Sequence, residues 1–184
     1  MCMFCFQIAA GATEVAIFAA ASESFSQKNI NCSIEESIQR FVPICEAANL
    51  KNVKIRGYVS TVVGCPYAGI VNPCAVAKVT ESLLSLGCYE ISLGDTIGVG
   101  TPGSISRMLK EVLHVAKCDQ LAIHCHDTYG QALSNILTSL DFGMINMIVE
   151  LFVNNNYVFS YRNLCGRLVS VRIRRMPICK RCVW

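Results

Sequence analysis

His124 and His126 stand two apart in the run Leu121-Ala122-Ile123-His124-Cys125-His126-Asp127. On an extended strand, residues i and i+2 point to one face, so both imidazoles can reach a single metal ion. A bare His-x-His pair fits two exposed or hydrogen-bonded histidines equally well, and only its surroundings separate the readings. Here an apolar run precedes the pair and Asp127 follows it, as at the C-terminal end of a buried parallel strand, where α/β enzymes place their sites. A second polar cluster, Ser92-Leu93-Gly94-Asp95-Thr96-Ile97-Gly98, closes the preceding strand-like segment and sets Asp95 at the same rim. Mixed imidazole and carboxylate donors suit Mg2+ or Mn2+ with water-filled positions better than a sulfur-rich zinc site. Arg56-Gly57-Tyr58-Val59-Ser60, followed by Gly64-Cys65-Pro66-Tyr67, supplies a third rim element, with a plain turn on Gly64 and Pro66 as the alternative.

These clusters need a scaffold, and the chain has a repeating one. Residues 14–22 read as a short buried strand, and Ser33-Ile34-Glu35-Glu36 is a capping box that opens a helix to about residue 50. Residues 53–63 form a β-branched strand. Pro73 starts a helix that Gly87 stops. A strand at 88–93, a helix led by Thr101-Pro102 to about residue 116, a strand at 120–124 and a helix at 128–142 complete four strand–helix units. Such alternation implies α/β structure with a parallel sheet and right-handed crossovers. Periodicity alone does not choose between an open doubly wound sheet and a (β/α)8 barrel. Four units are half a barrel, which leaves two parallel edges exposed.

Composition narrows the class. The chain has 184 residues, 53% hydrophobic and 16% charged, which suits one domain with a real core and excludes a disordered tail protein. The net charge is +3, but residues 147–184 hold seven Arg or Lys against Glu150, so the first 146 carry −3. An even basic surface for nucleic acid is therefore not expected. No apolar run is long enough for a membrane span, and no Arg-rich amphipathic targeting segment opens the chain. The twelve cysteines are scattered through apolar segments, as Cys45, Cys88 and Cys118 are, and read as free thiols in a reducing compartment. Cys2 with Cys5 and Cys179 with Cys182 have zinc-knuckle spacing but lack the turn residues of a zinc ribbon. Beyond residue 143 the pattern breaks: Asn154-Asn155-Asn156 interrupts an apolar stretch, and Arg, Cys and Val mix without a stable period. This tail reads as a segment not selected for the fold, with a basic interaction tail as the alternative.

NINCSIEES at 29–37, RGYVS at 56–60, GCPY at 64–67, GCYEISLGDTIGVGTPG at 87–103 and HCHDTYGQA at 124–132 together resemble the 3-hydroxy-3-methylglutaryl-CoA lyase family. The GDTxG and HxHD pieces are shared with related metal-dependent barrel synthases that use acyl-CoA, whereas NINCSIEES and the long glycine-rich run point to the lyases. The resemblance covers residues 9–146, between a non-family start at 1–8 and a divergent basic, Cys-containing tail at 147–184. It implies a partial (β/α)8 TIM barrel corresponding to strands four to seven. The implied activity is cleavage of 3-hydroxy-3-methylglutaryl-CoA to acetyl-CoA and acetoacetate, in leucine breakdown and ketone-body formation. The implied setting is the mitochondrial matrix, in a family commonly homodimeric.

By the same resemblance His124 and His126 are metal ligands, His124 also lies close to the substrate hydroxyl, Asp95 is a catalytic-site aspartate, and Tyr58 and Ser92 line the substrate pocket. The family's GPRDGLQNE-type motif, which supplies an Arg and a metal-binding Asp, has no match in this chain. Its later segment with a catalytic Cys on a glycine loop and an Asn ligand has none either. Cys65 matches an earlier turn of the family and does not inherit the catalytic Cys role. With half of the ligand set present, the expectation is little or no lyase activity. The alternatives are a related acyl-CoA-using synthase and a non-catalytic half-barrel.

Overall fold

The computed structural model describes residues 11–150. Strands β1 (Glu14–Ala20), β2 (Lys54–Ser60), β5 (Glu90–Asp95), β6 (Leu121–His126) and β7 (Asn146–Glu150) form one parallel sheet in that order. Between β2 and β5, β3 (Gly64–Cys65) and β4 (Gly69–Ile70) pair as a small antiparallel hairpin. Five helices fill the crossovers: α1 (Glu23–Ile30), α2 (Ile34–Leu50), α3 (Pro73–Ser85), α4 (Pro102–Val112) and α5 (Ala132–Asp141). A doubly wound sheet reverses its strand order part-way, and this one never does. Each strand adds beside the last, so right-handed crossovers put every helix on one face, as in a barrel wall. Sequence and structure agree on a partial (β/α)8 barrel.

Local chemistry explains each element. Ser33 Oγ accepts the Glu36 N–H (3.0 Å), Pro73 takes the first turn of α3 behind its Asn72 cap, and Thr101 and Ser104 form a reciprocal cap on α4. Helix α1 has no counterpart among the expected elements. Its apolar residues are only Phe25 and Ile30, so no periodic stripe marks it; the Ser22 cap and Asn31 at φ 53 set its ends. The strand expected at 53–63 stops at Ser60, because Thr61 turns to φ 60. The helix expected from 128 begins at Ala132, since Asp127 to Gly130 closes a turn with Gly130 at φ 70 and Asp127 Oδ1 accepts the Ala132 N–H. Strand β7 adds a fifth strand wholly beyond residue 143, where the sequence pattern breaks, and its parallel pairing with β6 makes residues 146–150 part of the fold. The start at 1–8, the tail beyond 150 and the four zinc-spaced cysteines lie outside the described residues.

The core lies between the helices and the convex face of the sheet. Ile55, Ile91, Leu93, Leu121 and Ile123 pack there with Leu83, Ile105 and Leu109, all 0–1% exposed. Fully burying such a side chain stabilises by about 1.5–3 kcal/mol. Gly57 lets α3 approach: a Cβ there would lie 2.8 Å from Ile91 Cδ1 and 3.1 Å from Leu83 Cδ1. The cysteines of this region are free, with Cys45, Cys88 and Cys125 buried, and burial pushes the Cys88 thiol up to about 12. Among the described residues no helix is long and apolar enough to cross a membrane.

Candidate active site

Strand parity and register decide which side chains meet. Tyr58 is in register with Ser92, Ser92 with Ala122, and Gly94 with His124. Since Ile55, Gly57 and Val59 face the helices, Tyr58, Ser92, His124 and His126 share the opposite, concave face. The imidazoles of His124 and His126 lie side by side, with ring centroids 5.0 Å apart and planes tilted by 33°. Tyr58 and Ser92 occupy the row two residues lower, about 7 Å from the level of His124. Tyr58 stacks on Phe18 of β1 (4.7 Å between centroids), and Phe18 stays 55% exposed on this face. Ser92 Oγ is buried and has no hydrogen-bond partner among the described residues.

Asp95 is placed differently. It lies in register with fully buried Cys125, so strand parity turns it away from the imidazole row, while its carboxylate stays within electrostatic reach of His124. Oδ2 accepts the Gly100 N–H (2.8 Å), in the loop that follows β5. Burial pushes the Asp95 carboxyl up from its ordinary 3.8, against the amides of Gly100, Val99 and Gly98 and the attraction of His124. The signal was in the chain: Ser92 and Asp95 are three apart, an odd spacing that splits them between faces.

The loop at 96–101 ties several strand ends together. Thr96 Oγ1 accepts the Thr61 N–H (2.8 Å), which holds β-branched, buried Thr61 in the left-handed region. Gly98, at φ 68, lies so close to the β6–α5 turn that a Cβ would be 2.6 Å from Thr128 Oγ1 and 2.9 Å from the His126 carbonyl oxygen. Sequence reasoning also passed over Asn135, which donates from Nδ2 to the Gly100 carbonyl (2.9 Å). Its spacing gave it away, because Ala132, Asn135, Ile136 and Ser139 recur at i, i+3, i+4 and i+7 and all are buried.

The far end of the concave face is filled. Arg56 forms an ion pair with Glu90, another with Glu14 (3.5 Å), and donates to the Tyr89 hydroxyl (3.1 Å). Tyr89 donates to Glu14 (2.8 Å), and Asn146 of β7 donates to Glu90 (3.0 Å). Burial alone lowers the Arg56 pKa, but bonds with Tyr58 and Tyr89 and the Glu90 charge outweigh it and hold the guanidinium charged.

Cys65 is 3% exposed and its sulfur accepts from Ser22 Oγ–H (3.1 Å) and from the Tyr67 and Ala68 amides (3.4 Å each). Burial raises its pKa, these bonds lower it, and the bonds win. It fastens the hairpin turn. A cavity of about 410 Å³ lies beside that hairpin against α4, and its lining includes none of Tyr58, Ser92, His124 and His126.

The imidazole pair can supply two adjacent positions of an octahedral ion and leave the others for water or substrate oxygens. Among the described residues, no group of three or more His, Cys, Asp or Glu gathers around a common point. The family described as HMGL-like matches residues 4–152. The chain belongs to the HMGL-like family. Within it, the bovine protein named "Hydroxymethylglutaryl-CoA lyase, mitochondrial" is 62% identical over 137 residues, 74% of this chain and 42% of that protein. The rat protein named "3-hydroxy-3-methylglutaryl-CoA lyase, cytoplasmic" is 60% identical over 141 residues, 77% of this chain and 41% of that one. The crystal structure of hydroxymethylglutaryl-CoA lyase from Pseudomonas aeruginosa superposes with a TM-score of 0.78 at 53% identity, over 80% of this chain and 49% of that chain. This HMGL-like chain thus spans about half the length, or less, of these relatives.

Proposed function

We propose that this chain carries the imidazole part of a 3-hydroxy-3-methylglutaryl-CoA lyase site, whose reaction yields acetyl-CoA and acetoacetate. The observation that carries this reading is the side-by-side placement of His124 and His126 on the concave face above Tyr58 and Ser92, in a stretch of 137 residues 62% identical to a named lyase. A divalent ion, Mg2+ or Mn2+, held by His124 and His126 would lower the pKa of the substrate hydroxyl and polarise the neighbouring carbonyl. His124 orients that hydroxyl for loss of its proton, the step that precedes carbon–carbon cleavage. Tyr58 and Ser92 line the acyl portion, and the buried, unsatisfied Ser92 hydroxyl suits a hydrogen bond to it. Asp95 acts from behind the rim, by fixing the loop that abuts His126. The proposed compartment is the mitochondrial matrix, a reading supported by the word mitochondrial in the bovine relative's name, whereas the rat relative is named cytoplasmic.

Two imidazoles make a weak site by themselves, no third donor joins them among the described residues, and a missing supporting group in such sites costs about 10–100-fold. The purified chain, incubated with 3-hydroxy-3-methylglutaryl-CoA and excess Mn2+, is expected to bind the substrate in a manner that needs both Mn2+ and His124. Its turnover is expected to fall below that of a full-length family member by about 100-fold or more. Substrate binding is read by ligand-observed NMR and turnover by acetoacetate release. Binding no stronger than that of an unrelated acyl-CoA, or unaltered in H124A, overturns the proposal.

A further inference from the structure

Gly100 is held from two sides. Its N–H donates to Asp95 Oδ2 on β5 (2.8 Å), and its carbonyl accepts from Asn135 Nδ2 on α5 (2.9 Å). Both side chains are fully buried, so water does not compete for these bonds. Only glycine fits between them: a Cβ at residue 100 would lie 2.6 Å from Asp95 Oδ2 and 3.1 Å from Asn135 Nδ2. Two residues earlier the same loop presses Gly98 against the carbonyl of His126 and the side chain of Thr128. At its start, Thr96 secures the end of β2 through Thr61. The loop therefore fits between three strand ends, and Asn135 is its attachment to the helix that follows the histidines.

We infer that Asn135 is a positioning residue for the imidazole pair, acting through the Gly100 backbone and Asp95 to hold the 96–101 loop against His126. The inference rests on the reading that His124 and His126 hold a divalent ion, and its geometry stands apart from that reading. Ala132, Ile136 and Ser139 bury α5 without Asn135, so a side chain serving packing alone would not need an amide at this position. The Asn135 Nδ2 donor is what the loop uses. Its Oδ1 is buried with no hydrogen-bond partner among the described residues, a cost that the Gly100 bond must outweigh.

The test compares N135A and N135Q with the unmodified chain. Three readouts are taken: amide exchange at Gly98 and Gly100, Mn2+ affinity by electron paramagnetic resonance, and the urea midpoint. N135A is expected to lose at least about tenfold in Gly100 protection and about tenfold in Mn2+ affinity, the usual range for a supporting group. N135Q, which keeps the donor, is expected to recover part of both. Exchange at Ile91, Leu93 and Ile123 stays protected if the effect is local. Equal loss of protection across those strands, or unchanged Gly100 exchange and Mn2+ affinity, overturns the inference. If the unmodified chain binds no Mn2+, the metal reading fails on its own. The imidazole NMR shifts of His126 then decide: displaced shifts in N135A uphold the clamp, and identical shifts overturn it.

Discussion

At one end of the concave sheet face, Arg56 is enclosed by Glu14, Glu90 and Tyr89, while Asn146 reaches Glu90 from the outermost strand. At the other end, two imidazoles stand together, Ser92 Oγ and Asp95 Oδ1 are buried without a hydrogen-bond partner among the described residues, and Asp95 Oδ2 holds a loop. Both ends are built from polar residues on the same strands. The N-terminal end uses charge to satisfy charge across β1, β2, β5 and β7, and so serves cohesion. At the C-terminal end the Ser92 hydroxyl and one Asp95 oxygen leave bonding capacity over, which is what a ligand can use. In parallel α/β sheets that division between a stabilising end and a reactive end follows strand direction.

Breaking the saturated end should cost most. Removing one partner of a buried ion pair strands the other, so R56M is expected to lose about 3–5 kcal/mol in urea denaturation. H124A, at the open end, is expected to stay within about 1 kcal/mol of the unmodified chain. Equal losses at the two ends would erase the contrast.

The pH response should separate the ends next. The folded-state pKa of Asp95 is raised, so its contribution to stability is complete below the ordinary 3.8 and is lost as pH rises through the folded value. Asn at this position cannot ionise. D95N is therefore expected to gain on the unmodified chain as pH climbs from acid toward neutral, read from urea midpoints across that range. A difference that stays flat with pH, or runs the other way, would mean that burial does not govern this carboxyl.

The smallest effect compares two buried hydroxyls. Ser26 Oγ–H donates to the Cys32 carbonyl (2.8 Å), so S26A is expected to cost about 1 kcal/mol. Ser92 has no such bond to lose, and S92A is expected to be close to neutral for stability while weakening substrate binding. A destabilisation by S92A as large as that by S26A would show the rim to be satisfied after all.

Much of this was legible in the chain, for identifiable reasons. Ser33, Pro73 and Thr101 mark helix starts by their own backbone chemistry, and the His124–His126 spacing of two settles a shared face once a strand is granted. Helix α1 was not legible, because its stability comes from the Ser22 and Asn31 caps and the burial of Phe25 rather than from a periodic stripe. Periodicity did not choose between barrel wall and doubly wound sheet; the family resemblance chose the barrel, and the strand order bears it out. Asp95 and Asn135 are the instructive pair. Their spacings, three residues from Ser92 and three from Ala132, announce a helix-side carboxylate and a buried amide, yet motif resemblance draws attention to residue type and away from direction.

The central claim is that His124 and His126 together form a metal-binding edge at the open end. Titrating Mn2+ into the chain, and into H124A and H126A, while following free Mn2+ by electron paramagnetic resonance, tests it most directly. One saturable site per chain, weakened by about tenfold or more in each single variant, is the predicted result. Absence of saturable binding in the intact chain, or affinity unchanged in either variant, would contradict it.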